Sequence, residues 1–87
     1  MDNKLDGNAA AGTLQAIFSF EMTEAKVTCA NCGDSNRIGE TVAYMNGMGT
    51  IIRCPSCDHA LIRLSHVRGR SFLDLQGARV LQLRVNE

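Results

Sequence analysis

Eighty-seven residues, 45% of them apolar, carry nine basic and nine acidic side chains and a formal charge of zero. That length excludes a chain of several domains, the apolar fraction excludes intrinsic disorder, and the charge balance excludes a polycation. So short a chain buries roughly 60–65% of its unfolded surface, and it has no tryptophan and one tyrosine to enlarge the core, so some added fastening is expected.

Residues 1–7 read as a tether. The opening Met1-Asp2-Asn3-Lys4-Leu5-Asp6 lacks the basic start and apolar run of a signal peptide. No window reaches membrane-spanning length, so the expectation is a cytoplasmic protein without membrane contact. A helix is predicted over 8–20, with Asp6 or Asn8 as N-cap and Ala10, Leu14, Ile17 and Phe18 as one apolar stripe. Gly12 weakens it by about 1 kcal/mol relative to alanine, so the helix needs a surface to pack on.

From Lys26-Val27-Thr28 the period becomes strand-like. Ile38, Glu40, Val42 and Tyr44 alternate with smaller residues as a strand does, Asn46-Gly47-Met48-Gly49 signals a turn, and residues 50–53 return as a second strand. Residues 59–87 read as a β-meander. In it, 60–67 form a strand with Ala60, Ile62 and Leu64 on one face, and Arg68-Gly69-Arg70 turns. Residues 71–75 run back, Gln76-Gly77-Ala78 turns again, and 79–85 close the sheet. Leu73 and Leu75 share one face, as do Leu81, Leu83 and Val85. The whole predicts a single small α+β domain, mainly antiparallel β, in which one N-terminal helix covers an apolar face of the sheet.

Two C-x2-C pairs punctuate this plan: Cys29-Ala30-Asn31-Cys32 and Cys54-Pro55-Ser56-Cys57, separated by 21 residues. Two intervening residues let a tight turn aim both sulfurs at one point, about 2.3 Å from a zinc ion, while backbone N–H groups satisfy the thiolates. Gly33 suits a turn exit with positive φ, Asp58 does the same less comfortably, and Pro55 presets the turn. The predicted hairpin between the pairs returns the chain to its origin, so the knuckles and hairpin of 26–58 converge on one site. Four soft thiolates select zinc first and iron second, and they leave no open coordination position. The competing reading of these cysteines is redox or electron transfer, through an iron–tetrathiolate centre or reversible disulfides. A redox C-x2-C ordinarily occurs once, at a helix start, whereas here there are two and neither precedes a helical pattern.

These two knuckles resemble the zinc-ribbon class, in which paired C-x2-C turns at hairpin tips share one zinc ion. The chain as a whole is similar to a family of small bacterial proteins of unknown function. That resemblance is carried by Leu5-Asp6-Gly7-Asn8, Ala11-Gly12, Ile17-Phe18, the Cys29…Cys32-Gly33 knuckle, Arg53-Cys54-Pro55-x-Cys57 and Leu73-Asp74-Leu75-x-Gly77. It implies a zinc-ribbon-type sheet and brings no activity with it.

Outside the cysteines, charge is the main lead. Residues 1–52 hold three basic and six acidic side chains, and residues 53–87 hold six arginines and three acidic side chains. Arg63, Arg68, Arg70, Arg79 and Arg84 fall on neighbouring predicted strands and turns, where planar guanidinium groups suit phosphate or carboxylate recognition. The plainer reading is that they solvate the outer sheet face and pair with Asp74 or the acidic N-terminal half. The modest positive excess favours a protein partner over nucleic acid. His59 is read as an exposed turn residue or a hydrogen-bonding neighbour of the cysteines rather than a fifth ligand, His66 as a partly buried structural histidine, and Phe72 as core. No P-loop, paired-carboxylate pattern or nucleophile elbow is present, so the expectation is a non-catalytic zinc-binding module; oligomeric state is left open.

Overall fold

The computed structural model describes residues 3–18 and 22–83, and the side chains of Asn3, Lys4, Ala11, Gly12, Ala16 and Ile17 lie outside that description. The expectations for Ile17, Arg84 and Val85, and for the last two helical residues, therefore fall outside it. The chain runs β1 (Asn3–Asp6), α1 (Gly7–Phe18), β2 (Lys26–Cys29), β3 (Ser35–Arg37), a single 3-10 turn (Ile38–Glu40), β4 (Val42–Asn46), β5 (Gly49–Arg53), β6 (Ala60–Val67), β7 (Arg70–Asp74) and β8 (Ala78–Gln82). All pairings are antiparallel. They form a five-stranded sheet of order β1-β4-β5-β6-β7 and a three-stranded sheet of order β3-β2-β8.

Local chemistry explains most element ends. Asp6 caps the helix by accepting the Asn8 N–H at 3.1 Å, and α1 buries Ala10 and Leu14 with Phe18 packed beside them. The β4–β5 turn is built by the Asn46 side chain, whose Oδ1 accepts the N–H groups of Met48 at 2.8 Å and Gly49 at 3.1 Å. Gly47 needs no positive φ there. The β6–β7 turn is of the opposite kind: Arg68 and Gly69 have φ of 50° and 77°, the mirror-image turn that matches strand twist. Between β5 and β6 the register shifts at Ile52/Arg53. Leu61 is the extra residue of this bulge, so both Leu61 and Ile62 face the core.

Helix α1 and both sheets share one core, which runs from Ala10, Leu14 and Val27 through Ala43 and Ile52 to Leu61, Ile62 and Leu64. Met22, without a periodic signal in the sequence, is fully buried in it.

Several expectations are corrected. Residues 3–6 are not tether but the edge strand β1, paired Lys4↔Tyr44 and Asp6↔Val42. A four-residue edge strand is held by backbone bonds, so it needs no apolar alternation. Residues 38–40 turn instead of extending, because Glu40 Oε1 accepts the Arg37 N–H at 3.1 Å and Gly39 N–H bonds to Thr23 O at 3.2 Å. The strand over 35–37 went unread. The meander ends at β7: β8 crosses to the other sheet and pairs with β2 through Val27↔Leu81 and Thr28↔Val80. Strand alternation allows only one of Phe72 and Leu73 inward. Leu73 takes that place, while Phe72, opposite Ser65, is 56% exposed. His66 is exposed, with Nδ1 3.0 Å from Ser71 Oγ.

Candidate metal centre

Each C-x2-C pair occupies the tip of a hairpin, residues 29–34 between β2 and β3 and residues 54–59 between β5 and β6. The two tips use one backbone plan. Cys29 N–H bonds to Asp34 O at 2.8 Å and Gly33 N–H to Cys29 O at 3.0 Å; Cys54 N–H bonds to His59 O at 2.9 Å and Asp58 N–H to Cys54 O at 2.9 Å. Both close on a left-handed residue, Gly33 at φ 83° and Asp58 at φ 64°. Only the first is comfortable for its residue type. Asp58→Gly is therefore expected to raise stability by up to about 1 kcal/mol, the release of left-handed strain exceeding loss of the exposed 3.9 Å ion pair with Arg53. Gly33→Ala should lower it by about 1 kcal/mol. Chemical denaturation of the two variants, read for opposite signs, checks this.

The hairpins belong to different sheets, yet their sulfurs meet. The four Sγ atoms of Cys29, Cys32, Cys54 and Cys57 lie within 4.8 Å of one another. Across the tips, Cys29 and Cys57 approach to 3.7 Å and Cys32 and Cys54 to 3.6 Å. All four are free thiols. Cys29 and Cys54 are 1% and 2% exposed and double as core residues, whereas Cys32 is exposed and Cys57 half-buried. The cluster thus has a dry side and a wet side.

Nitrogen donors surround the sulfurs. Asn31 N–H reaches Cys29 Sγ at 3.4 Å, and the Asn31 amide reaches Cys57 Sγ at 3.5 Å, linking the two knuckles. The Asn31 amide, followed by the His59 backbone N–H, lowers the Cys57 thiol to about 7. Cys32 feels the Asp34 backbone N–H, which lowers it, but desolvation and the sulfurs of Cys54, Cys57 and Cys29 together push it up to about 12. Thiols so close cannot all ionise unless a cation balances them. The donor set therefore fits a soft divalent metal ion, and Cys29, Cys32, Cys54 and Cys57 would hold it. His59 stays outside the sulfur cluster and lends its backbone alone.

Gly77 ties the knuckles to each other. Its carbonyl accepts the N–H of Ala30, between the first two cysteines, at 2.9 Å. Its Cα lies flat on the backbone of Ala60 and Leu61, just past the second pair, where a Cβ would collide with the Ala60 oxygen.

The arginines are dispersed. Arg63, Arg68 and Arg70 lie on β6, β7 and their turn, and Arg79 lies on β8 in the other sheet, all exposed. None of these four makes an ion pair among the described residues. Beside the second knuckle, Arg53, Asp58, His59, Arg63, Asp74 and Gln76 line a groove of about 580 Å³. The sequence did not point to it, since the β5–β6 bulge that gathers these residues has no local signature. Arg53 is fixed there by Asp58 O at 2.9 Å and stands over the Tyr44 ring at 5.6 Å.

A small, mainly antiparallel β protein with one short helix and a four-cysteine cluster able to hold a metal ion is the class that these features define. Residues 1–86 match the family of unknown function DUF6510, and the chain belongs to that family. No curated protein and no solved structure matches it. Among the described residues no helix is long and apolar enough to cross a membrane.

Proposed function

We propose that the chain is a non-catalytic module of zinc-ribbon type, built on one structural zinc ion, which binds another macromolecule through its arginine-bearing sheet. The observation that carries the reading is the convergence of four sulfurs within 4.8 Å from hairpin tips of two separate sheets. When bound, zinc would offset half of the thiolate charge and join the two sheets, and four protein ligands would leave no position for substrate. A tetrathiolate centre requires reduced cysteines, which supports a cytoplasmic setting. A protein partner is favoured over nucleic acid because the groove mixes signs. Arg53 and Arg63 share it with Asp58 and Asp74, which suits the mixed charge of a protein surface better than a uniform phosphate backbone.

Native mass spectrometry before and after chelation tests the metal. One zinc per chain, lost together with folded structure, is the expected result. A coloured iron centre, or a mass four hydrogens light, would replace this reading with the redox one. For the partner class, titration with duplex oligonucleotide at low salt should show no binding. An affinity falling linearly with salt on logarithmic axes, and reduced in an Arg63→Ala/Arg68→Ala variant, would make nucleic acid the partner.

A further inference from the structure

Strand β7 ends the five-stranded sheet and, among the described residues, pairs with β6 alone. Its backbone polarity follows from one bond: His66 N–H points away from β7, to Met48 O at 3.1 Å. The His66↔Ser71 pair is therefore one that exchanges no hydrogen bonds. By alternation, Arg70, Phe72 and Asp74 direct their N–H and C=O groups to β6, and Ser71 and Leu73 direct theirs to the open edge. Arg70, Ser71 and Phe72 are exposed. The Arg70 side chain has no ion-pair or hydrogen-bond partner among the described residues. Asp74 accepts the Gln76 N–H at 2.9 Å through Oδ1, and its cross-strand neighbour Arg63 forms no ion pair with it.

Sheet edges are ordinarily guarded by like charges, proline, bulges or a covering segment. Strand β7 has no proline or bulge, no described segment covers it, and its two charged side chains are of opposite sign. Its sequence Arg70-Ser71-Phe72-Leu73-Asp74 has opposite charges placed symmetrically about an exposed aromatic ring. We propose that β7 is a homodimer edge, along which a second copy of the chain pairs antiparallel about a two-fold axis at Phe72. In that register Ser71 and Leu73 exchange backbone hydrogen bonds with Leu73 and Ser71 of the second copy, and the two Phe72 rings meet. Arg70 of each copy faces Asp74 of the other, so the interface is isologous. A shift of two residues either way sets a charged residue against Phe72 and removes the paired attraction. The contact is independent of the metal, and it draws Asp74 from the groove assigned above to a protein partner. It joins two five-stranded sheets into one.

Sedimentation equilibrium of the full chain with its metal, from about 1 µM to about 1 mM, brackets the affinity of a short edge contact. The wild-type chain is expected to pass from monomer to dimer across this range. R70D leaves acidic groups at both ends of β7, and D74R leaves basic groups at both ends. Each variant alone should weaken self-association by about tenfold or more, and an equimolar mixture should restore it, because the two chains are then complementary. S71P removes an outward N–H that bonds to nothing among the described residues, so it should block pairing with the far-ultraviolet spectrum retained. A wild-type chain that stays monomeric throughout overturns the proposal, and so does a dimer that persists unchanged in R70D and S71P.

Discussion

Cys54→Ser is expected to leave the chain unfolded at room temperature, where the wild type is folded. Structural zinc sites contribute about 10–16 kcal/mol, which equals or exceeds the whole stability of about 5–15 kcal/mol typical of a small domain. Cys54 is also core, at 2% exposure, and its sulfur comes from the five-stranded sheet while Cys29 comes from the three-stranded one. Losing it removes a ligand and the link between sheets in one step. Cys32→Ser deletes a ligand from the exposed side, so its loss should be the smaller of the two. Thermal unfolding followed by circular dichroism checks both. A cooperative transition of undiminished midpoint in Cys54→Ser would show the metal to be incidental.

Gly77→Val is expected to be among the most damaging changes outside the cysteines, at about 4 kcal/mol or more, the range reserved for buried steric conflict. The new Cβ collides with the Ala60 carbonyl, which is backbone and cannot swing aside. Moving Gly77 away breaks its 2.9 Å bond from Ala30, so the first knuckle loosens as the second is pushed. Stability and metal affinity should therefore fall together, measured by denaturant titration and by competition with a chromophoric chelator. Gly47→Ala is the matched control. Nothing lies within 4 Å of a Cβ there and the φ is not positive, so the change should stay within about 0.5 kcal/mol. A Gly77→Val variant as stable as this control would overturn the clamp.

The four-cysteine cluster was legible because its information is local. Spacing within each C-x2-C pair, the left-handed exits at Gly33 and Asp58 and the N–H···S contacts are set by neighbours in the chain. The same holds for the cap at Asp6 and for the turns at Asn46 and Gly69. What escaped the reading depends on partners far away. Strand β1 exists because β4 offers a free edge, and β8 leaves the meander because β2 offers another. Helix-like and strand-like periods say which face is apolar but not which strand lies alongside. Phe72 shows the limit well: its character suggested the core, and only the register that sends Leu73 inward decides that it faces out. Arg79 belongs to a different sheet from Arg63 for the same reason.

The departure of β8 from the meander also orders the events by which the chain assembles. The hairpins β2–β3, β4–β5, β5–β6 and β6–β7 close between neighbours in sequence, and each cysteine pair is complete within its own tip. Such closures are fast, whereas joining Thr28 to Val80 or Lys4 to Tyr44 spans long stretches of chain and is slow. A metal ion captured first by one knuckle and then by both would bring the two sheets together before β8 has docked. The strand that carries Gly77 to the knuckles then seals an assembly whose centre is already in place. In hydrogen exchange β8 should open at lower free energy than β5 and β6, the strands that flank the second cysteine pair.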